Sequence, residues 1–352
     1  MEEKNKRLPL AAVLLAGVIL LSVSCSDENF VKESSGGAIA FNTDVTAASE
    51  LPTRASVADL SKLQIDGFNV SAFSTGTSGW SSSGATATPN FMYAQPVSWN
   101  SDHWEYSPLK YWPDKADGTN LGKVSFFAWS PASAGTPSLA SAQGAPTLTI
   151  TVTDDNASQV DLIADMLTDK SRDGGAVNFA FDHLLSRIGF MARLDEEYAD
   201  ATVQVTSIKI KYIGGKVANT GVYTFNTDNT ASTIWSLTAA TASSMTTSDT
   251  GDRITESALT LTTANQRAND ADKYLMLLPQ TVQTGDVKAE VTWTVTTTNP
   301  VATETNTKTL DLPAQVWLPG KRYDYKLVIS LTDVVFDNTI VNPWGDDCMC
   351  PA

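Results

Sequence analysis

The sequence predicts an all-β protein built as two β-sandwiches in tandem. Three observations carry that reading. Apolar residues alternate with polar ones at period two in many short segments bounded by turn residues. Helical periodicity is confined to brief stretches near residues 56–63 and 182–186. Thr, Ser, Ala and Val dominate, and only 18% of residues are charged, a mix that suits exposed sheet better than helical bundles. With 352 residues the chain is long enough for two domains. A composition break at Asp195-Glu196-Glu197-Tyr198-Ala199-Asp200 separates residues 55–197 from residues 198–332, one sandwich each. Residues 333–352 form a C-terminal strand and tail.

Ahead of the body lies a leader. Residues 1–7 carry Lys4, Lys6 and Arg7, and residues 8–23 are apolar. That is a secretory signal, too short for a comfortable membrane span. Its end, Leu21-Ser22-Val23-Ser24-Cys25, resembles a bacterial lipoprotein box. The resemblance implies removal of residues 1–24 and acylation of Cys25, palmitate included, with several chains giving stable anchoring. The alternative is an ordinary signal peptide with a chance cysteine. Residues 25–54 then form a lipidated propeptide. It begins with acidic Ser26-Asp27-Glu28 and a flexible Gly/Ser-rich linker. Within it stands one strand-like run, Ala38-Ile39-Ala40-Phe41-Asn42. It ends at Leu51-Pro52-Thr53-Arg54-Ala55, a second candidate cleavage site, where Pro52 keeps the backbone extended as a protease requires. The alternative for Arg54 is a plain linker arginine.

In the first half of the body Phe68, Val70 and Ala72 alternate with polar residues. Val124-Ser125-Phe126-Phe127-Ala128-Trp129-Ser130-Pro131 reads as a buried strand closed by a proline turn. Leu148, Ile150 and Val152 alternate with Thr. Phe179 to Phe190 combines a helical turn with a strand in which Ile188, Phe190, Ala192 and Leu194 share a face. In the second half Val203 and Val205 are followed by Ile208, Ile210 and Tyr212, one residue out of phase. A β-bulge near Thr206-Ser207 explains the slip. Residues 287–295 and 323–331 alternate cleanly.

Charge and side-chain inventory exclude several functions. The net charge is −15, and −16 once residues 1–24 are gone, which argues against nucleic acid and anionic lipid surfaces as partners. The three cysteines, Cys25, Cys348 and Cys350, all lie outside the body, so no disulfide framework holds the core. Cys348 and Cys350 read as free thiols, with an intermolecular or metal role as the alternative. The two histidines, His103 and His183, have no zinc spacing, and His183 reads as a packed, hydrogen-bonded ring. Asp114 to Asn120 fails the alternation of a calcium loop and reads as a turn. No nucleophile elbow, P-loop or dinucleotide fingerprint is present, so no catalytic residue, metal or cofactor is expected. Trp80, Trp99, Trp104, Tyr106, Tyr111 and Trp112 admit two readings, a sugar-stacking platform or the core of the first sandwich.

Five stretches in this order are similar to the fimbrillin family of anaerobic Gram-negative bacteria. They are residues 106–113 with 124–131, residues 161–164, residues 179–190 with Phe181-Asp182-His183-Leu184, Leu277-Leu278-Pro279-Gln280, and Trp317-Leu318-Pro319-Gly320-Lys321-Arg322-Tyr323-Asp324-Tyr325. The closing Val341-Asn342-Pro343-Trp344 fits too. The resemblance covers almost the whole chain. It implies two transthyretin-like β-sandwiches and a non-enzymatic subunit of cell-surface fimbriae, supporting adhesion. It also implies a precursor held at the outer membrane through Cys25, cut after Arg54, and assembled with other fimbrial subunits by donor-strand exchange. Residues 38–42 would be the strand removed. Residues 333–341 are the candidate donor, with Val334, Phe336 and Ile340 on one face and Val335, Thr339 and Val341 on the other. The alternative is a last strand of the second sandwich in cis. A surface glycan-binding lipoprotein is the other function considered.

Overall fold

The computed structural model describes residues 37–45, 59–113, 122–153, 155, 158–226, 234–241, 258–269 and 274–344. In chain order these form β1 (Phe41–Val45), the helix α1 (Leu60–Asp66), β2 (Phe68–Gly76), the single-turn helix α2 (Trp80–Ser83), β3 (Met92–Asn100), β4 (His103–Glu105), β5 (Lys123–Ser130), β6 (Thr136–Pro137), β7 (Thr147–Thr151), β8 (Ile163–Lys170) and β9 (Val177–His183). There follow β10 (Ser186–Leu194), β11 (Ala201–Tyr212), β12 (Thr220–Thr224), β13 (Trp235–Leu237), β14 (Leu259–Thr260), β15 (Gln266–Arg267) and β16 (Leu275–Leu277). The last are β17 (Thr281–Val282), β18 (Val287–Thr298), β19 (Val301–Asp311), β20 (Gln315–Val316), β21 (Lys321–Ile329) and β22 (Val334–Pro343). The expected all-β class is what the chain adopts.

A seven-stranded sheet runs in the order β1-β9-β8-β5-β2-β3-β4. Its ends approach each other, because Ile39 N donates to Lys110 O at 2.9 Å and Ala38 bridges Tyr111, just beyond β4. The curled sheet encloses one hydrophobic cluster, with Phe41, Phe68, Val70, Trp104, Phe126, Phe179 and Phe181 among its members. Side chains alternate across a strand, so Phe127 and Trp129 on the other face of β5 enter a second cluster. There Phe127 meets Phe225, beyond β12, at 5.5 Å, edge to face. Both faces of β5 are therefore covered, which is why its sequence is a near-continuous apolar run.

The second cluster is filled from β7, β10, β11, β12, β18 and β21. β10 runs parallel to β21, with Ser186 opposite Lys321 and Leu194 opposite Ile329. β11 and β18 form a long antiparallel pair. Its register shifts between Val205 and Ser207, so Thr206 is the extra residue of the expected bulge. Val203, Val205, Ile208 and Ile210 thus all point inward. Leu148 and Ile150 of β7, from the first half of the chain, pair with β12 from the second.

Two expectations are corrected here. The helical turn over residues 182–186 does not form: Asp182 and His183 end β9, and Ser186 starts β10. The linking residues bond across the fold instead, with Leu184 N donating to Leu162 O and Leu185 O accepting from Gly320 N. β22 is paired in cis with β21, and two of its residues, Asp337 and Asn338, oppose the single residue Lys326. That bulge puts Ile340, opposite Asp324, on the other face from Val334 and Phe336, so the expected common face of Val334, Phe336 and Ile340 is broken.

Candidate functional site

β1 sits at the edge of the seven-stranded sheet and pairs in parallel with β9, Phe41 opposite Val177 through to Val45 opposite Phe181. The other pairings within that sheet are antiparallel. The strand expected over residues 38–42 is displaced toward residue 45, because β9 pairs with residues 41–45 while Ala38 and Ile39 bond to the segment after β4. β8 meets β9 at two residue pairs only, Ile163 with His183 and Ala164 with Asp182. Along residues 177–181, β1 is thus the strand that completes the ladder of β9.

The strand is seated by its inner face. Ile39, Phe41 and Val45 are all buried. The ring of Phe41 lies 5.3–6.0 Å from those of Tyr106, Phe179, Phe68 and Phe126. Tyr106 Oη donates to Ile39 O at 2.9 Å, and Trp104 Nε1 donates to Thr43 Oγ1 at 3.0 Å. Burial pushes the Tyr106 phenol above its ordinary range, so it stays a neutral donor. On the outer face Asn42 Nδ2 donates to Asn178 Oδ1 at 2.8 Å. Burying three such apolar side chains is worth roughly 5–9 kcal/mol, comparable to the whole stability of an ordinary domain. Without β1 the chain would expose an apolar groove and a bare stretch of backbone.

A family model described as Fimbrillin-like matches residues 53–344. The chain belongs to the fimbrillin-like family. This fimbrillin-like chain is 30% identical over 249 residues to the fimbrium subunit Fim1C of Phocaeicola vulgatus, a match covering 65% of the chain and 62% of that relative's length. It is also similar to the crystal structure of a fimbrial protein from Bacteroides vulgatus, with 25% identity and a TM-score of 0.69. That alignment covers 87% of this chain and 99% of the other.

Of the site residues expected from sequence, Cys25, Arg54 and Ala55 lie outside the described residues, as do Cys348, Cys350 and the turn at 114–120. Val334, Phe336, Ile340 and Val341 lie on β22, where Val334 is buried and Val341 is about half exposed. Among the aromatics, Trp104, Tyr106 and Trp112 are buried in the first cluster, and Trp80 packs on Phe73 and Phe127 of the second. Trp104, Tyr106 and Trp112 are core residues, Trp80 and Trp99 are partly buried against the two clusters, and Tyr111 is exposed. His183 is buried, with Nδ1 2.8 Å from Asp161 Oδ2, in the packed and hydrogen-bonded state expected of it. Sequence reasoning missed Trp104 and Tyr106 as the groove's polar contacts. The signal was available in Thr43, which shares the inward phase of Phe41 and Val45.

Proposed function

We propose that this fimbrillin-like chain is a structural subunit of cell-surface fimbriae, supporting adhesion without catalysis. Its precursor is tethered to the outer membrane by lipid on Cys25. A protease cuts between Arg54 and Ala55 and releases residues 25–54, β1 among them. The vacated groove takes a strand from another subunit. Because each subunit's strand fills a different groove, the contact does not close and a filament grows. The seven-stranded sheet, all of it ahead of Ser186, receives the strand.

One observation carries this reading. The strand lying between the candidate lipidation site and the candidate cleavage site is the edge strand whose loss strips five residues of β9 and opens an apolar groove. A strand from outside repairs both defects at once. β1 is joined to β9 by long-range pairing and not by a hairpin, so its departure breaks no local turn.

The donor role of Val334, Phe336, Ile340 and Val341 has support and a cost. Val334-x-Phe336-x-Asn338-x-Ile340 repeats the order Ile39-x-Phe41-x-Thr43-x-Val45. Donating it would pull β22 from β21 and take Val334 and Trp344 out of their buried places. The acceptor half of the exchange is therefore the better supported. Limited trypsin treatment tests it: the trimmed chain should begin at Ala55 and form oligomers or bind strand peptides. A trimmed chain that stays monomeric and binds none would refute the exchange.

A further inference from the structure

The groove holds β1 by contacts that read different things. The bonds made by the strand's own backbone, Ile39 N to Lys110 O, Val177 N to Ala40 O and the Tyr106 hydroxyl to Ile39 O, are blind to the strand's side chains. The places of Ile39, Phe41 and Val45 read bulk. Two contacts read a polar side chain: Asn42 Nδ2 donates to Asn178 Oδ1 on the exposed outer face, and on the inner face Trp104 Nε1 donates to Thr43 Oγ1. Trp104 is itself buried, its ring 4.8 Å from Phe68 and 5.1 Å from Trp99, edge to face with both. An indole N–H can only donate, and leaving it buried without an acceptor costs more than making the bond gains.

We propose that Trp104 is the specificity-determining residue of the vacated groove. The occupant it selects is a strand of another subunit, parallel to β9, with the order apolar-x-aromatic-x-acceptor-x-β-branched. The acceptor is a Ser, Thr or Asn side chain at the place of Thr43. This rests on the strand-exchange reading. A strand of equal bulk with Val or Leu at that place fills the groove but orphans the indole, so discrimination comes from the rejected strand's unpaired donor.

The test uses the full chain, cut by trypsin in the presence of excess fluorescein-labelled peptide of residues 37–45. That peptide contains no Lys or Arg and survives the protease. Capture is followed by fluorescence anisotropy for the parent peptide and for its Thr43→Ser and Thr43→Val forms. Thr43→Ser should bind within about threefold of the parent and Thr43→Val about tenfold more weakly or worse. In a Trp104→Phe chain, which keeps a ring but loses the N–H, the difference between parent and Thr43→Val should vanish. Equal capture of both peptides by the unsubstituted chain overturns the selection and leaves strand exchange standing. A difference that persists with Trp104→Phe removes the role from Trp104. Capture of no peptide at all refutes the exchange reading itself, and this inference with it.

Discussion

Trp344 lies flat against His183, ring centroids 4.9 Å apart and planes 15° apart. His183 closes β9, the strand that carries β1, and Trp344 follows the last residue of β22. The indole is buried, its backbone N–H donates to Gly320 O at 3.1 Å, and its carbonyl accepts from Arg187 Nη1 at 3.1 Å. The end of the C-terminal strand is thereby fixed to the strand that bears the groove. Trp344→Ala should cost about 3–5 kcal/mol in urea unfolding and raise amide exchange along residues 334–343. A loss under about 1 kcal/mol with unchanged exchange would show that β22 is not held there.

Phe41 has a different signature, because its contribution should exist only while β1 is in place. Phe41→Ala should destabilise the uncut chain by about 3–5 kcal/mol. After trypsin cleavage and removal of the released segment, products of the two precursors should unfold at the same urea concentration. A difference that survives removal of residues 25–54 would mean that Phe41 acts elsewhere.

Asp165 supplies a pH test. Burial is the main cause that raises its carboxyl to about 6, against the lowering effect of bonds from Ala180 N and Met166 N. The folded state therefore holds the proton more tightly than the unfolded state. Stability from this group is greatest below about pH 4, the unfolded value, and falls as pH rises toward about 6, after which it levels off. Asp165→Asn should flatten the stability profile between about pH 4 and 6. An unchanged slope would assign the titration to another group.

The bulge in β11 makes a prediction about chain length. Thr206 is the extra residue, so deleting it lets Val203, Val205, Ile208 and Ile210 keep one face without a bulge. The loss should be the Thr206 Oγ1 bond to Thr292 O and little else, about 1 kcal/mol. Inserting one Ala between Ile208 and Lys209 should instead turn Ile210 and Tyr212 off the inward face and destabilise far more than the deletion does. Circular dichroism and thermal unfolding of the two variants decide it.

That bulge also marks what the sequence could reveal. A phase slip between Val205 and Ile208 is a local fact, and so is the two-sided apolar run of β5, so both were legible. Partner choice is not local. Nothing in the alternation of Leu148 and Ile150 says that β7 pairs with β12, or that β10 pairs with β21. The apolar cluster at residues 184–185 mimics a helical turn, but its backbone groups bond to Leu162 and Gly320, remote in sequence. The bulge in β22 was hidden because Val334, Phe336 and Ile340 alternate well in a straight strand. At the site, the short run at residues 38–42 was visible, while the parallel register of β1 on β9 and the Trp104 contact arise only from the closure of the sheet.

The central claim is that β1 is a placeholder, and the N-terminal residue of the mature surface protein tests it most directly. Protein recovered from assembled fibres should begin at Ala55 and contain no fragment covering residues 37–45. Fibre-borne chains that begin at an acylated Cys25 and still carry residues 41–45 in their own groove would contradict the account.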